Sequence, residues 1–280
     1  MLELFREIPS RGASRFSIVR PAAVNLPPIG PASHQQGIQR TTGGDFVVSG
    51  SGSRSGYIYF ADRSSLKIGE VLTPVVSNFN HFGGIQVADD ILAAGYERSE
   101  SGAAGTSVVL FYDVRSAASP TALDHLTIER TSSGQTAGAV GLSHDGASWL
   151  LLVANWDSDR LDFYRSDSDD LFATTTCFTL VGAWQFSANG LGAGSIDDRW
   201  GVYENINLFA DEDGSLWFVG METVFLRPDI SIEPIKVSRE VLKTGTDFLT
   251  LEPDVLQSGH RLTDPRLRFP NIRLGRSLSA

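Results

Sequence analysis

The sequence predicts an all-β fold assembled from about five repeated units, and three observations carry that prediction. The segment His34-Gln35-Gln36-Gly37-Ile38-Gln39 returns 47 residues later as His81-Phe82-Gly83-Gly84-Ile85-Gln86. Self-similarity on this scale marks repeat architectures. Runs rich in Val, Ile, Tyr, Phe and Trp alternate with turns rich in Gly, Asp and Ser, which is the pattern of short strands. No segment sustains a 3.6-residue apolar period, so little helix is expected.

Each unit reads as a turn, a short strand, a turn, a strong strand, a loop and a further strand. In the first unit Gly37-Ile38-Gln39 leads to Asp45-Phe46-Val47-Val48-Ser49 and then to Tyr57-Ile58-Tyr59-Phe60-Ala61-Asp62. In the second, Gly84-Ile85-Gln86 leads to Asp90-Ile91-Leu92-Ala93-Ala94 and Val108-Val109-Leu110-Phe111-Tyr112-Asp113. The third is looser: Ala139-Val140-Gly141-Leu142, a turn at Asp145-Gly146, Trp149-Leu150-Leu151-Leu152-Val153, then Leu161-Asp162-Phe163-Tyr164. The fourth has Asn205-Ile206-Asn207, a turn at Asp211-Glu212-Asp213-Gly214, Leu216-Trp217-Phe218-Val219, then Val224-Phe225-Leu226. The Asp-Gly pairs are hairpin signals, because glycine accepts φ > 0 without steric cost.

Unit starts near 37, 84, 139 and 206 extrapolate to Asn271-Ile272-Arg273-Leu274, which echoes Asn205-Ile206-Asn207-Leu208. About five antiparallel four-stranded units with Asp-Gly turns resemble a β-propeller in a single domain spanning residues 1–280. There is no WD dipeptide at the WD40 position and no kelch signature, so the likeness is to an architecture. The last blade is expected either to be incomplete or to be closed by N-terminal strands, Leu2-Glu3-Leu4-Phe5 or Arg15-Phe16-Ser17-Ile18-Val19. Closure would remove exposed sheet edges. The final stretch from Arg261 to Ala280 carries five arginines and one acid. It reads either as a basic strand docking on an acidic body or as an abnormal terminus.

With 280 residues, 41% of them hydrophobic, the chain can bury a large core. A formal charge of −10 and a pI near 4.9 disfavour nucleic acid, which needs a basic surface. No apolar run reaches membrane-spanning length, so no membrane partner is expected. Met1–Glu7 has neither the basic nor the apolar region of a secretory signal, and the cytoplasm is the expected compartment. The single cysteine, Cys177, reads as a small buried hydrophobe rather than a nucleophile.

The ligand-binding candidates are His34, Gln39, His81, Gln86 and Asn207. In a propeller these flank or lie on the strands lining the central channel, where imidazoles and amides could hydrogen-bond a polar ligand. The competing and favoured account of the amides is architectural: they satisfy backbone groups left open where inner strands splay apart. Glu97 and Glu222 each follow the second strand of a unit, and Asn155 holds the matching place in the third. This pattern resembles that of metal-dependent lactonase propellers, a resemblance that implies a divalent cation or acid/base chemistry at these positions. Solvent-exposed hairpin acids are the preferred reading. Asp157-Ser158-Asp159 and Asp167-Ser168-Asp169-Asp170 lack the glycine and glutamate of a calcium loop and read as solvated turns. Gly190-Leu191-Gly192-Ala193-Gly194 has no following Lys-Ser/Thr and no phosphate role. Trp149 and Trp217 fall in matching strands and read as packing between blades, although the five tryptophans together suggest a sugar-stacking platform.

No catalytic residue and no metal ligand is assigned, and no cofactor is expected, Ca²⁺ being the one alternative. The expected function is non-catalytic binding of a small polar ligand or a protein at one face of the channel. The alternative is a metal- or carboxylate-dependent hydrolase or lyase acting on carbohydrate or lactone.

Overall fold

A computed structural model of the chain describes residues 18–26, 34–76, 78–98, 105–132, 134–156, 158, 160–185, 203–210, 216–224 and 227–235. These residues form four antiparallel sheets in chain order, with no α-helix among them. The first sheet holds β1 (Gln35–Arg40), β2 (Phe46–Gly50), β3 (Tyr57–Ala61) and β4 (Ile68–Leu72), each paired with the next. The second holds β5 (His81–Ala88), β6 (Ile91–Glu97) and β7 (Ser107–Asp113), with β8 (Thr121–Ala122) and β9 (Ile128–Arg130) both pairing with β7. A single 3₁₀ turn, Asp124–Leu126, joins those last two strands. The third holds β10 (Ala139–His144), β11 (Trp149–Ala154), β12 (Arg160–Ser166) and β13 (Phe178–Gln185). The fourth holds β14 (Tyr203–Ala210), β15 (Leu216–Val224) and β16 (Arg227–Ile235).

Each of the first four predicted units thus becomes one antiparallel sheet of sequential strands, with β9 of the second returning to β7, and the first strand of each carries the start of the unit. Asp145-Gly146 turns the β10–β11 hairpin as expected. Gly146 sits at φ 88°, and Asp145 Oδ1 accepts the amides of Ala147 and Ser148 at 3.0 and 2.9 Å. Burial opposes ionisation of that carboxyl, but these amides and the Arg165 guanidinium prevail and hold it below the usual carboxylate range. The fourth unit departs from expectation. Val224 does not begin a third strand but ends β15, pairing with Arg227 across the hairpin. Apart from Gly220, which pairs within the ladder, no turn former interrupts Leu216–Val224, so the strand runs on. Pro228 and Pro234 in β16 suit a strand at the edge of its described sheet.

Residues 271–275, the first N-terminal candidate strand, the glycine-rich stretch and the Asp213-Gly214 turn lie outside the described residues. Val19, from the second N-terminal candidate, forms a parallel bridge with Lys67 at the entrance to β4. Its N–H donates to Leu66 O at 2.7 Å, and its C=O accepts the Ile68 N–H at 3.0 Å.

The central strands of the first three sheets are buried on both faces, which explains why they are apolar without a polar alternate. Along β2, Val47 points with Ile58 and Phe60 toward Phe82, Ile85 and Tyr96 of the second sheet. Its neighbours Phe46 and Val48 point the other way, toward Leu26, Val24 and Ile18. Along β6, Leu92 and Ala94 face the first sheet. Ile91 and Ala93 face Val140, Leu142 and Trp149 of the third. Period-two alternation therefore sorts apolar side chains between two neighbouring sheets instead of between core and water. Trp149 packs between sheets as expected.

The first strands meet backbone to backbone. Gly84 N–H donates to Gly138 O at 2.8 Å, joining β5 to the entrance of β10. A Cβ on Gly83 would stand 2.3 Å from Gly138 O, and one on Gly84 would stand 2.6 Å from Glu204 O of β14. Backbone atoms at those distances cannot give way. Replacing Gly83 by alanine is expected to cost about 3 kcal/mol or more, because the added methyl overpacks against main chain. Gly69 has nothing within 4 Å of an added Cβ. Gly69→Ala should lie within about 0.5 kcal/mol of the parent. Urea midpoints of the two variants check the contrast; equal midpoints would contradict the close approach.

Candidate functional site

Two polar assemblies occupy opposite ends of the first strands. His34 and Gln39 are five positions apart, about 16 Å along an extended chain.

His34 directly precedes β1, and His81 opens β5. The two strands pack side by side, so their imidazoles meet, Nε2 to Nε2 at 3.4 Å. β6 returns antiparallel to β5 and places its last residue, Glu97, in register with His81. Glu97 Oε1 lies 3.4 Å from His81 Nδ1, and Oε2 accepts the Ala137 N–H at 2.5 Å. Glu97 is 0% and His81 2% exposed. His81 thus stands between the Glu97 carboxylate on its Nδ1 side and the His34 imidazole on its Nε2 side. Ser51 Oγ stands 3.3 Å from His34 Nδ1. Trp156, 38% exposed, packs on His81 with ring centroids 4.8 Å apart. His34, itself exposed, lies against the same imidazole at 5.2 Å.

Glu97 is anchored further. The peptide group whose N–H it accepts, between Thr136 and Ala137, presents its C=O to Arg130 Nη2 at 3.0 Å. The same guanidinium donates to Asn155 Oδ1 at 3.2 Å and, through Nη1, to the Tyr164 hydroxyl at 3.0 Å. Nη1 also lies 2.7 Å from Asp162 Oδ2, a pair 1% and 0% exposed. Burial pushes the Tyr164 hydroxyl above its ordinary pKa and keeps it a phenol. Asp162 receives a second cation, Arg160 Nε, at 2.8 Å. One buried peptide is thus held between a carboxylate and a guanidinium, and the Arg130 charge is met by Asp162.

At the other end the amides join strands. Gln86 on β5 accepts the N–H groups of Leu142 at 2.8 Å and Leu208 at 2.7 Å, and donates to Leu208 O at 3.0 Å. One side chain therefore satisfies main-chain groups on β10 and β14. Gly141 leaves room for it: a Cβ there would come 2.9 Å from Leu208 Cβ and 3.4 Å from Gln86 Oε1. Gln39 Nε2 donates to Asn207 Oδ1 at 2.7 Å. Asn205 Nδ2 donates to Gln36 O at 2.8 Å, again linking β14 to β1.

The structure thus brings His34 to His81 and Gln39 to Asn207, and it separates the histidines from Gln39 along the strand. Gln86 is spent on backbone groups. Glu97 is corrected: the sequence reading made it an exposed hairpin acid, yet it is fully buried, because the Thr136–Ala137 segment and His81 close over the end of β6. Asn155 is likewise buried, held by Arg130 and by its own donation to Gly134 O at 2.8 Å. The side chain of Glu222 lies outside the described residues, as do those of Trp184, Trp200 and Trp217. Cys177 is also corrected. It is exposed, and its thiol donates to Asp167 Oδ2 at 3.2 Å. That hydrogen bond to the carboxylate pushes the thiol pKa up and disfavours the nucleophilic thiolate. Ser51, Arg130, Asp162 and the special place of Trp156 were missed. Hairpin register was the available signal: Glu97 must return beside His81, and Asn155-Trp156 ends the equivalent strand of the next unit. Among the described residues no helix is long and apolar enough to cross a membrane.

Substituting Gln86 by leucine keeps the side chain's bulk but strands two buried N–H groups and a carbonyl. A loss of about 3 kcal/mol is expected in chemical denaturation; a loss under about 1 kcal/mol would show that the amide is dispensable. With a carboxylate 3.4 Å from Nδ1, the His81 ring is expected to carry its proton there, and Glu97→Gln should move it to Nε2, since the new amide NH₂ is a donor. Long-range ¹H–¹⁵N spectra of the imidazoles read this directly, and an unchanged tautomer would contradict the contact.

No protein-family model matches the chain, and no curated protein matches it. Solved structures similar to it include the glutaminyl cyclase of Myxococcus xanthus, at 14% identity over 75% of this chain and 69% of that one, with a TM-score of 0.40. A luciferin-regenerating enzyme is similar at 16% identity over 71% and 62%, with a TM-score of 0.38. The Aleuria aurantia lectin is similar at 10% identity over 74% and 75%, with a TM-score of 0.36.

Proposed function

We propose that the four sheets are blades of a β-propeller and that the chain binds a small hydroxyl-bearing ligand where its first strands begin. The propeller reading is supported by consecutive up-and-down sheets stacked face to face, with their first strands in mutual contact through Gly83, Gly84 and Gly138. The observation that carries the site is the placement of exposed His34 and Trp156 on a buried, immobilised His81. An indole face suits the C–H face of a sugar-like ring, and imidazole nitrogens suit its hydroxyls. The buried Glu97 and Arg130 hold this surface in place before any ligand arrives, which lowers the entropy lost on binding.

A second reading, a hydrolase or lyase acting on carbohydrate or lactone, is favoured by one feature. Glu97 stands behind His81 Nδ1, the placement of a carboxylate that orients a general base. Titration of the full chain with neutral monosaccharides and their lactones, followed by tryptophan fluorescence and calorimetry, tests both. Saturable binding without product, weakened at least about tenfold (1.4 kcal/mol) by Trp156→Ala or His34→Ala, is the expected result. Ring-opened product that His81→Gln abolishes while binding persists would favour the enzyme. Binding unaffected by both substitutions would place any ligand elsewhere and remove the proposed site.

A further inference from the structure

We infer that residues 18–26 form a detachable strap that covers the outer face of the first sheet and, through Tyr59 and Gln35, holds His34 in place. The inference starts from a difference between the two faces of that sheet. One face, with Val47, Ile58 and Phe60, packs on the second sheet. The other presents Phe46, Val48, Tyr57, Tyr59 and Ile68. Among the described residues, the apolar side chains that reach this outer face from outside the sheet and its hairpins are Ile18, Val24 and Leu26. The fourth sheet meets the first along the first strands instead, where Asn205 Nδ2 donates to Gln36 O and Gln39 Nε2 to Asn207 Oδ1. Residues 18–26 thus lie where the second sheet, packed between the first and the third, has a neighbour.

The strap has a light hold. Val19 is joined to the β3–β4 hairpin by its N–H to Leu66 O at 2.7 Å and by the Ile68 N–H to its own C=O at 3.0 Å. The Val24 N–H donates to Pro21 O at 2.9 Å, a turn that brings Leu26 into the cluster. Leu26 is 5% exposed, whereas Val19 is 47% exposed. A segment with few buried apolar contacts and solvent-exposed main-chain bonds opens locally, well before the sheets unfold. Tyr59 connects the covered face to the start of β1. Its ring lies in the cluster, and its hydroxyl accepts Gln35 Nε2 at 2.8 Å. Gln35 follows His34 directly and pairs with Gly50. Next to Gly50, Ser51 donates its N–H to His34 O at 2.9 Å, and its Oγ accepts the His34 N–H at 3.2 Å. Lifting the strap uncovers the Tyr59 ring and removes support from the Gln35 hydrogen bond, which loosens the turn that carries His34.

Amide hydrogen exchange on the full chain, with no ligand added, tests the strap independently of the proposed binding. Leu26→Ala should speed exchange of the Ile68 amide at least about tenfold, while amides at the centres of β6 and β11 change less than about twofold. Val19→Pro, which removes the N–H given to Leu66, should do the same and carries the test if Leu26→Ala fails to fold. Leu26→Met, which refills the space, should stay within about twofold of the parent. The hold on His34 is read from imidazole ¹⁵N spectra. Both strap variants should shift the His34 resonances and leave those of His125 in place. Tyr59→Phe, which keeps the ring and removes the hydroxyl, should shift them too. Ile68 exchange that is unchanged, or that rises equally in β6 and β11, would overturn the strap. His34 resonances unmoved in Tyr59→Phe would overturn its link to the site.

Discussion

Backbone contact between first strands is the constraint on which the rest of the structure depends. β5 touches β10 through Gly83, Gly84 and Gly138, and touches β14 where a Cβ on Gly84 would strike Glu204. At such spacing no side chain fits between the strands, so sheets can approach only where the side chain is a hydrogen atom. The approach also leaves main-chain N–H and C=O groups beyond the reach of a regular ladder. Burying them unpaired would cost on the order of 1–3 kcal/mol each. Gln86, Asn205 and Ser49 supply the missing partners. Ser49 Oγ accepts the Gly37 N–H and donates to Gly83 O, both at 2.9 Å. Glycine permits the contact and the amides complete it.

The same approach explains why a fully buried glutamate is tolerated. Glu97 ends a strand whose neighbour begins with His81, and the next sheet enters directly above through Thr136 and Ala137. One oxygen meets a main-chain donor and the other an imidazole. The Arg130–Asp162 pair works from the far side of the same peptide. Buried charge of this kind contributes little net stability beside an apolar alternative, but its geometry is specific. Its effect here is to fix the orientation of His81 and, through it, the spacing to His34.

The proposed site is accordingly a surface feature resting on a buried interior. Among its described residues only His34 and Trp156 reach solvent, while the groups that aim them belong to three sheets. Changes beneath the proposed site, at Glu97, Arg130 or Gly83, would therefore act on a ligand only through the groups they position, whereas His34 and Trp156 would meet it directly.

What the sequence determined by itself is local and repetitive. The His-to-Gln echo, the aromatic and β-branched runs and the Asp145-Gly146 turn mark strands and hairpins, because those signals depend on near neighbours and on period-two alternation. They were enough to place the first strand of each of the four described sheets and to single out His34, His81, Gln39, Gln86 and Asn207. Tertiary structure alone decided which of these meet. Whether Glu97 is exposed depends on a segment forty residues away in the chain, so its burial was invisible in Tyr96-Glu97. Cys177 reads as an apolar residue by type, yet its place beside Asp167 at the surface follows from how β12 ends and β13 begins. Gln39 and His34 share a motif but lie at opposite ends of a strand, and Gln86 serves strands that arrive later in the chain. Residue type and spacing specify the strands; the contacts between strands, set by close packing across long sequence separations, specify the site.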